Sequence, residues 1–413
     1  MKKDKIKGLV ASVVIITMSF GLCGCGNKST DNRIVVEMVQ YKPEAADYFE
    51  QLEKEFNATH DDIQLKIDSP NDAMTILKTR FIREDNPDII GIGGDSNFSN
   101  FIDANMLMDI SDYDGLEMIK ENYLAINKDL EFVPQEGIYA VPYAANAAGI
   151  LYNKDMFDEA GIDYPDGSWT WDEFYDIAEK LTKEDGSQYG FAANPSNEQD
   201  TWMNIIYSMG GCVLTDDNKS GFDDPNTIKA MEFVDKCVKN VMPPASTMSE
   251  TGTDVLFGSG KVAMISQGSW MVSGFKDNDY IKEHCDVARL PKDAETGRSV
   301  SLYNGLGWAA SFQLIEWFGS KDMQKKQADL GVTMAAYEGM SDGWVNSVDC
   351  FNLQPYMDAM DDIVFRPHTN ATLAWWNPMC EELKKPWNDE ESMDDACKNI
   401  VTIMNDAIAE ESY

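Results

Sequence analysis

The sequence predicts an α/β protein of two lobes, each a mainly parallel sheet flanked by helices, with a ligand cleft between them. Three observations lead there. The chain has 413 residues, more than one hydrophobic core ordinarily serves. Beyond residue 32 it alternates strand, helix, strand, helix, strand, the pattern of a parallel sheet with crossover helices. A run of small and polar residues, Tyr143–Ala148, then separates two strand patterns, as suits a chain passing from one body to another.

In chain order, Lys2, Lys3, Lys5 and Lys7 precede an apolar run, Gly8–Leu22, that is too short to span a bilayer comfortably. Leu22-Cys23-Gly24-Cys25 reads as a bacterial lipobox, because a small residue directly precedes Cys25 and a Leu stands three before it. Residues 1–24 are therefore expected to be a lipoprotein signal peptide, Cys25 the acylated residue, and 25–32 a polar tether. Such an anchor holds the rest of the chain outside the cytoplasm at the cell membrane.

Arg33–Val39 predicts the first strand, and Phe49, Leu52 and Phe56 mark the helix after it. Ile63–Ile67 alternates as a second strand. A helix with Ile76, Leu77 and Phe81 leads to the strand Ile89–Ile92, and Leu107–Ile110 is strand-like. Ligands in parallel α/β sheets sit beyond the C-terminal ends of strands, here Gln40-Tyr41 and Gly93-Gly94-Asp95. Ile138–Val141 reads as a strand stopped by Pro142, and Gly149–Tyr152 as another ending at Asn153. Thr170-Trp171-Asp172-Glu173 fits a capping box before Phe174, Ile177, Ala178 and Leu181 at helical spacing. The second body continues with a strand at Gln188–Phe191, helices from Trp202 and Pro225, a strand near Val262–Met264, and a last helix over Ser392–Ala409. The segment Gly331–Ala336 reads as another crossing.

The balance of 34 basic and 71 acidic residues gives a net charge of −37. Nucleic acid and anionic membrane surfaces would repel such a chain. Six cysteines remain beyond Cys25 without a C-x-x-C pair, so neither a zinc ribbon nor a thioredoxin-type site is supported. Gly258-Ser259-Gly260-Lys261 fails as a phosphate loop, because Val255 and Val262 occupy the first-glycine and magnesium-ligand positions. Asp216–Gly221 fails as a calcium loop, with Thr227 where the bidentate Glu must stand. No catalytic group, metal or cofactor is assigned. The better signal is aromatic. Trp202, Trp270, Trp308, Trp344, Trp375 and Trp376 fall at predicted loops or helix starts, and flat rings suit the apolar faces of sugars. Trp375 and Trp376 are adjacent, so one ring is expected to face inward and the other outward. Trp317, in a stripe with Leu314 and Phe318, is assigned to the core.

Several segments together resemble the extracellular solute-binding proteins of family 1, the sugar receptors of ABC importers. These are Tyr139-Ala140-Val141-Pro142, Tyr152-Asn153-Lys154-Asp155, Ala160-Gly161-Ile162, Thr170–Phe174, Phe257–Met264 and Gly268-Ser269-Trp270, with Leu290-Pro291 leading to Gly305-Leu306-Gly307-Trp308. The chain departs from the family's pattern around 309–313, where several residues are missing. The resemblance implies a type II periplasmic-binding-protein-like fold. The lobes would be residues 33–143 with 299–336, and 144–298 with 337–413. It also implies sugar contacts from Gln40, Tyr41, Asp95, Asn146 and Trp270, and from Trp375 or Trp376, to which position adds Trp202 and Trp308. The expected function is capture of a sugar, an oligosaccharide above all, for ABC permease subunits by a monomeric receptor. The rivals are a secreted glycosidase or lyase and a binding protein for a peptide or polyamine.

Overall fold

The computed structural model describes residues 33–411 except 94–97, 99–100, 103, 113–136, 196, 311–316, 318 and 370. The expected leader, Cys25, the tether and Asp95 lie outside these. The described strands are β1 (Ile34–Val39), β2 (Ile63–Asp68), β3 (Ile89–Gly93), β4 (Val141–Ala145), β5 (Ala148–Asn153), β6 (Tyr189–Ala192), β7 (Val262–Gly268), β8 (Cys285–Ala288), β9 (Ser301–Tyr303), β10 (Leu306–Ala310), β11 (Met334–Ala335) and β12 (Ile363–Phe365).

They form two main sheets, one per lobe. The first has the order β2-β1-β3-β10-β4-β11 and the second the order β6-β7-β5-β8. β1 pairs in parallel with both β2 and β3, as the strand–helix alternation predicts. β10 lies antiparallel between β3 and β4, because it carries the chain back from the other lobe. In the second sheet β6 and β7 are parallel and β5, arriving from β4, runs against β7 and β8. Both sheets are therefore mixed, and their antiparallel members are the strands that adjoin the crossings.

The side-chain period of a strand divides the first lobe's core. Val36, Met38 and Ile89 meet Phe49, Leu52 and Phe56 of helix Ala46–Thr59 on one face. Val39, Ile90 and Ile92 meet Leu77 and Phe81 of helix Ala73–Ile82 on the other. In the second lobe the helix Trp171–Leu181 buries Phe174, Ala178 and Leu181 against the sheet. Gly190 in β6 permits that contact, since a Cβ there would stand 1.8 Å from the Ala178 carbonyl oxygen.

Four expectations need correction. Leu107–Ile110 forms no strand; the Ile110 amide donates to the Ile138 carbonyl at 2.7 Å. Pro142 does not stop a strand but lies inside β4, opposite Gly307 where the register shifts. A proline is tolerated at such an irregularity because no ladder donor is required there. Ser301–Tyr303, assigned from the sequence to the first lobe, pairs in parallel with β12, and Leu302 and Tyr303 join the second lobe's core. Trp375 and Trp376 are both buried, at 0% and 9% exposure. Helix Thr372–Trp387 buries one wide face, with Thr372, Trp375, Trp376, Met379, Leu383 and Pro386 on it, and two adjacent residues about 100° apart both fall within a stripe of that width. Trp317 does pack as expected, edge-on to Phe56 with ring centroids 5.1 Å apart.

Candidate functional site

The lobes meet where β4 becomes β5. Only Asn146 and Ala147 separate the two strands, so the first crossing is shorter than the run of small residues predicts. Asn146 is buried and spends its amide on the second crossing. Its Nδ2 donates to the Asn304 carbonyl at 3.0 Å, and its Oδ1 accepts from the Asn304 amide at 3.2 Å. Gln199 Nε2 donates to the same Oδ1 at 3.4 Å. The next residues are tied to the turn after β7 and to β9. Ser269 donates its amide to the Ala147 carbonyl at 2.9 Å, and the Ala148 amide donates to Ser301 Oγ at 2.9 Å. Asn304 Oδ1 is buried without a partner among the described residues, an acceptor at the junction of both lobes.

Tyr41, at the end of β1, reaches this junction. Its hydroxyl would lie 3.0 Å from a Cβ built on Gly93, and Asn304 Nδ2 would lie 3.5 Å from the same point. Glycine at the end of β3 therefore leaves room for the tyrosine beside the asparagine. Trp270 belongs to the second lobe, half-buried in the turn Ser269–Met271 that follows β7. Its indole folds back over Gly268, where any Cβ would come within 2.0 Å of the ring. Trp376 belongs to the same lobe. The Arg366 guanidinium lies 4.4 Å over its ring and pairs with Glu198, the neighbour of Gln199. An arginine stacked on an indole and paired with a carboxylate has little freedom left.

Tyr41, Asn146, Trp270 and Trp376 are thus gathered around the crossings. Four other expected residues are not available as ligand contacts in this arrangement. Gln40 is 1% exposed and its amide closes the turn, donating to the Lys42 carbonyl at 2.9 Å and accepting from the Lys42 amide at 2.6 Å. Trp308 is stacked on Tyr143 at 4.1 Å and edge-on to Phe49. Trp202 packs on Phe222 in the core. Trp375 donates its indole N–H to Thr369 Oγ1 at 3.0 Å with no exposed surface. Each of these rings has a full set of protein neighbours, which position in the sequence could not reveal. Asp95 lies outside the described residues.

Sequence reasoning missed Glu198, Gln199, Asn304 and Arg366. An Asn-Gly pair at 304–305, a turn signal between two strands, marked one of them. Nothing local marks the others.

Burial, reinforced by the Glu198 charge, pushes the Asp200 carboxyl up to about 8. Its Oδ1 has no partner among the described residues, and Asn197 donates to its Oδ2. Burial lowers His368, whose Nδ1 lies 3.1 Å from the Arg366 carbonyl. Among the described residues no group of three His, Cys, Asp or Glu could hold a metal ion. No described helix is long and apolar enough to cross a membrane.

Residues 42–325 match the family model described as bacterial extracellular solute-binding protein. A multiple sugar-binding protein of Streptococcus mutans is 26% identical over 296 residues, covering 68% of each chain. A maltotriose-binding protein of Pyrococcus abyssi is 23% identical over 336 residues, covering 78% of this chain and 69% of its own. Among solved structures, an ABC substrate-binding protein of Listeria monocytogenes in complex with cycloalternan superimposes with a TM-score of 0.80 at 19% identity, covering 91% of this chain and 99% of its own. A cyclic alpha-maltosyl-1,6-maltose binding protein from Arthrobacter globiformis gives 0.76 at 21% identity, covering 92% and 100%.

Proposed function

Because the chain belongs to the bacterial extracellular solute-binding protein family, we propose that it captures an oligosaccharide between its lobes and delivers it to the permease of an ABC importer. It acts as a receptor and carries out no reaction. The observation that carries this reading is the meeting, at the crossings, of aromatic side chains (Tyr41, Trp270) with fixed amides (Asn146, Gln199, Asn304). Sugars demand both kinds of group, flat apolar platforms for C–H faces and oriented donors and acceptors for hydroxyls. Asp95 follows β3 in the sequence and supplies a carboxylate able to accept from two neighbouring hydroxyls.

The lobes turn about 145–148, 304–305 and 332–334. Sugar bridging both walls binds the closed form better than the open one and shifts the balance towards it. The closed face is what the permease recognises. The chain works as a monomer, held at the outer face of the cell membrane by a lipid on Cys25.

Trp270 is the direct test. Trp270→Ala lowers affinity for the cognate oligosaccharide by about tenfold or more, the usual loss for a truncated aromatic hot spot of 1–3 kcal/mol. Titration calorimetry after a thermal-shift screen of sugars, amines and peptides reads it. New reducing ends on incubation with the sugar would replace the receptor by an enzyme, and a shift with amines or peptides alone would remove the sugar.

A further inference from the structure

A second groove of about 500 Å³ lies on the flank of the second lobe, within the size range of small-molecule sites. Met248 is its buried floor, and Trp387 and Pro195 are half-buried walls. Asn194 and Asn388 are exposed at the rim, and Lys384 completes one side.

The lining excludes most ligand classes. No carboxylate is among the described lining residues of this groove, although the chain carries a net charge of −37; a cation finds no carboxylate among them. Lys384, the single cation among the described lining residues, is already paired with Glu381 at 2.6 Å, so an anion gains little. An indole and a thioether flanked by two primary amides suit a neutral polyol with an apolar face.

Two segments connect the groove to the crossings. Asn194 and Pro195 belong to the loop after β6 that carries Glu198 and Gln199 to Arg366 and Asn146. Helix Thr372–Trp387 has Trp376 under Arg366 near one end and Trp387 in the groove at the other. Those two tryptophans are separated by about 16 Å along the helix at 1.5 Å per residue. We propose that the groove is an accessory subsite that takes the outer rings of an oligosaccharide whose inner rings lie between the lobes. This rests on the carbohydrate reading above and adds to it a preference for long chains.

The test labels the protein with 5-fluorotryptophan and follows its fluorine resonances, assigned by single Trp→Phe variants. The probes are malto-, cello- and manno-oligosaccharides of three and six rings. In the series that binds, the Trp270 and Trp376 signals move with both lengths, and the Trp387 signal moves only with six rings. Calorimetry then shows Trp387→Ala and the rim variant Asn388→Ala weakening the six-ring ligand, the former by about five- to twentyfold, while three-ring affinity stays within about twofold. A silent Trp387 signal alongside responding Trp270 and Trp376 overturns the subsite and leaves the cleft reading standing. A Trp387 signal that moves alone, or equally with both lengths, overturns the shared chain. No movement with any series overturns both readings.

Discussion

Asp200 shows what tertiary burial does to one side chain. Its carboxyl has an ordinary value near 3.8 when exposed and is pushed up to about 8 in the fold, first by burial and then by Glu198. Between those values the native protein holds a proton that the unfolded chain has released, so stability falls as pH rises through that window and levels off above it. Asp200→Asn removes this dependence. Urea midpoints measured from about pH 4 to pH 8 should diverge steadily in the variant's favour; parallel curves would show that Asp200 is not a buried acid. The tryptophans teach the same lesson. Trp202, Trp308 and Trp375 share with Trp270 a place that the sequence predicts at a loop or helix start, and their burial differs because other segments of the chain cover them. Exposure is a property of long-range packing, and no window of sequence contains it.

Elements were far more legible than sites, because their signals are local. The capping box at Thr170 is present in full: the Thr170 amide donates to Glu173 Oε2 at 2.8 Å and the Glu173 amide donates to Thr170 Oγ1 at 3.3 Å. Thr170→Ala should cost about 1 kcal/mol, the usual value of an N-cap, read as a lower denaturant midpoint with unchanged slope. Asp224 before Pro225 caps the next long helix as its sequence predicts, accepting from the Asn226 amide at 2.7 Å. The misread elements are those whose state depends on a distant partner. β4 continues through Pro142 because β10 and β11 flank it, and the Pro142 carbonyl accepts from Gln324 Nε2 at 3.1 Å. β9 belongs with β12 because Phe365 packs on Tyr303, with ring centroids 5.4 Å apart. Neither partner is near in sequence.

At the scale of the whole molecule the crossings are the feature that matters. Asn146 links the first crossing to the second through both the amide and the carbonyl of Asn304. Asn146→Ala leaves those two backbone groups without their partner in a partly buried position. A loss of about 1–3 kcal/mol in stability follows, together with a wider distribution of lobe angles. Calorimetry reads the first and solution scattering with and without sugar reads the second. Unchanged scattering in the variant would confine Asn146 to packing. The sequence by itself determined the two α/β lobes, the strand–helix alternation that opens the first, the capped helices of the second, and the place where the chain first passes between them, because periodicity, caps and turn residues act within a few positions of one another. Only the tertiary structure decided which aromatic rings stand at the junction, that Gln40 is spent on its own turn, and that Asn304, Gln199, Glu198 and Arg366 belong beside Asn146. Those residues lie between 52 and 220 positions from Asn146, and what brings them together is the closing of two sheets around shared crossings.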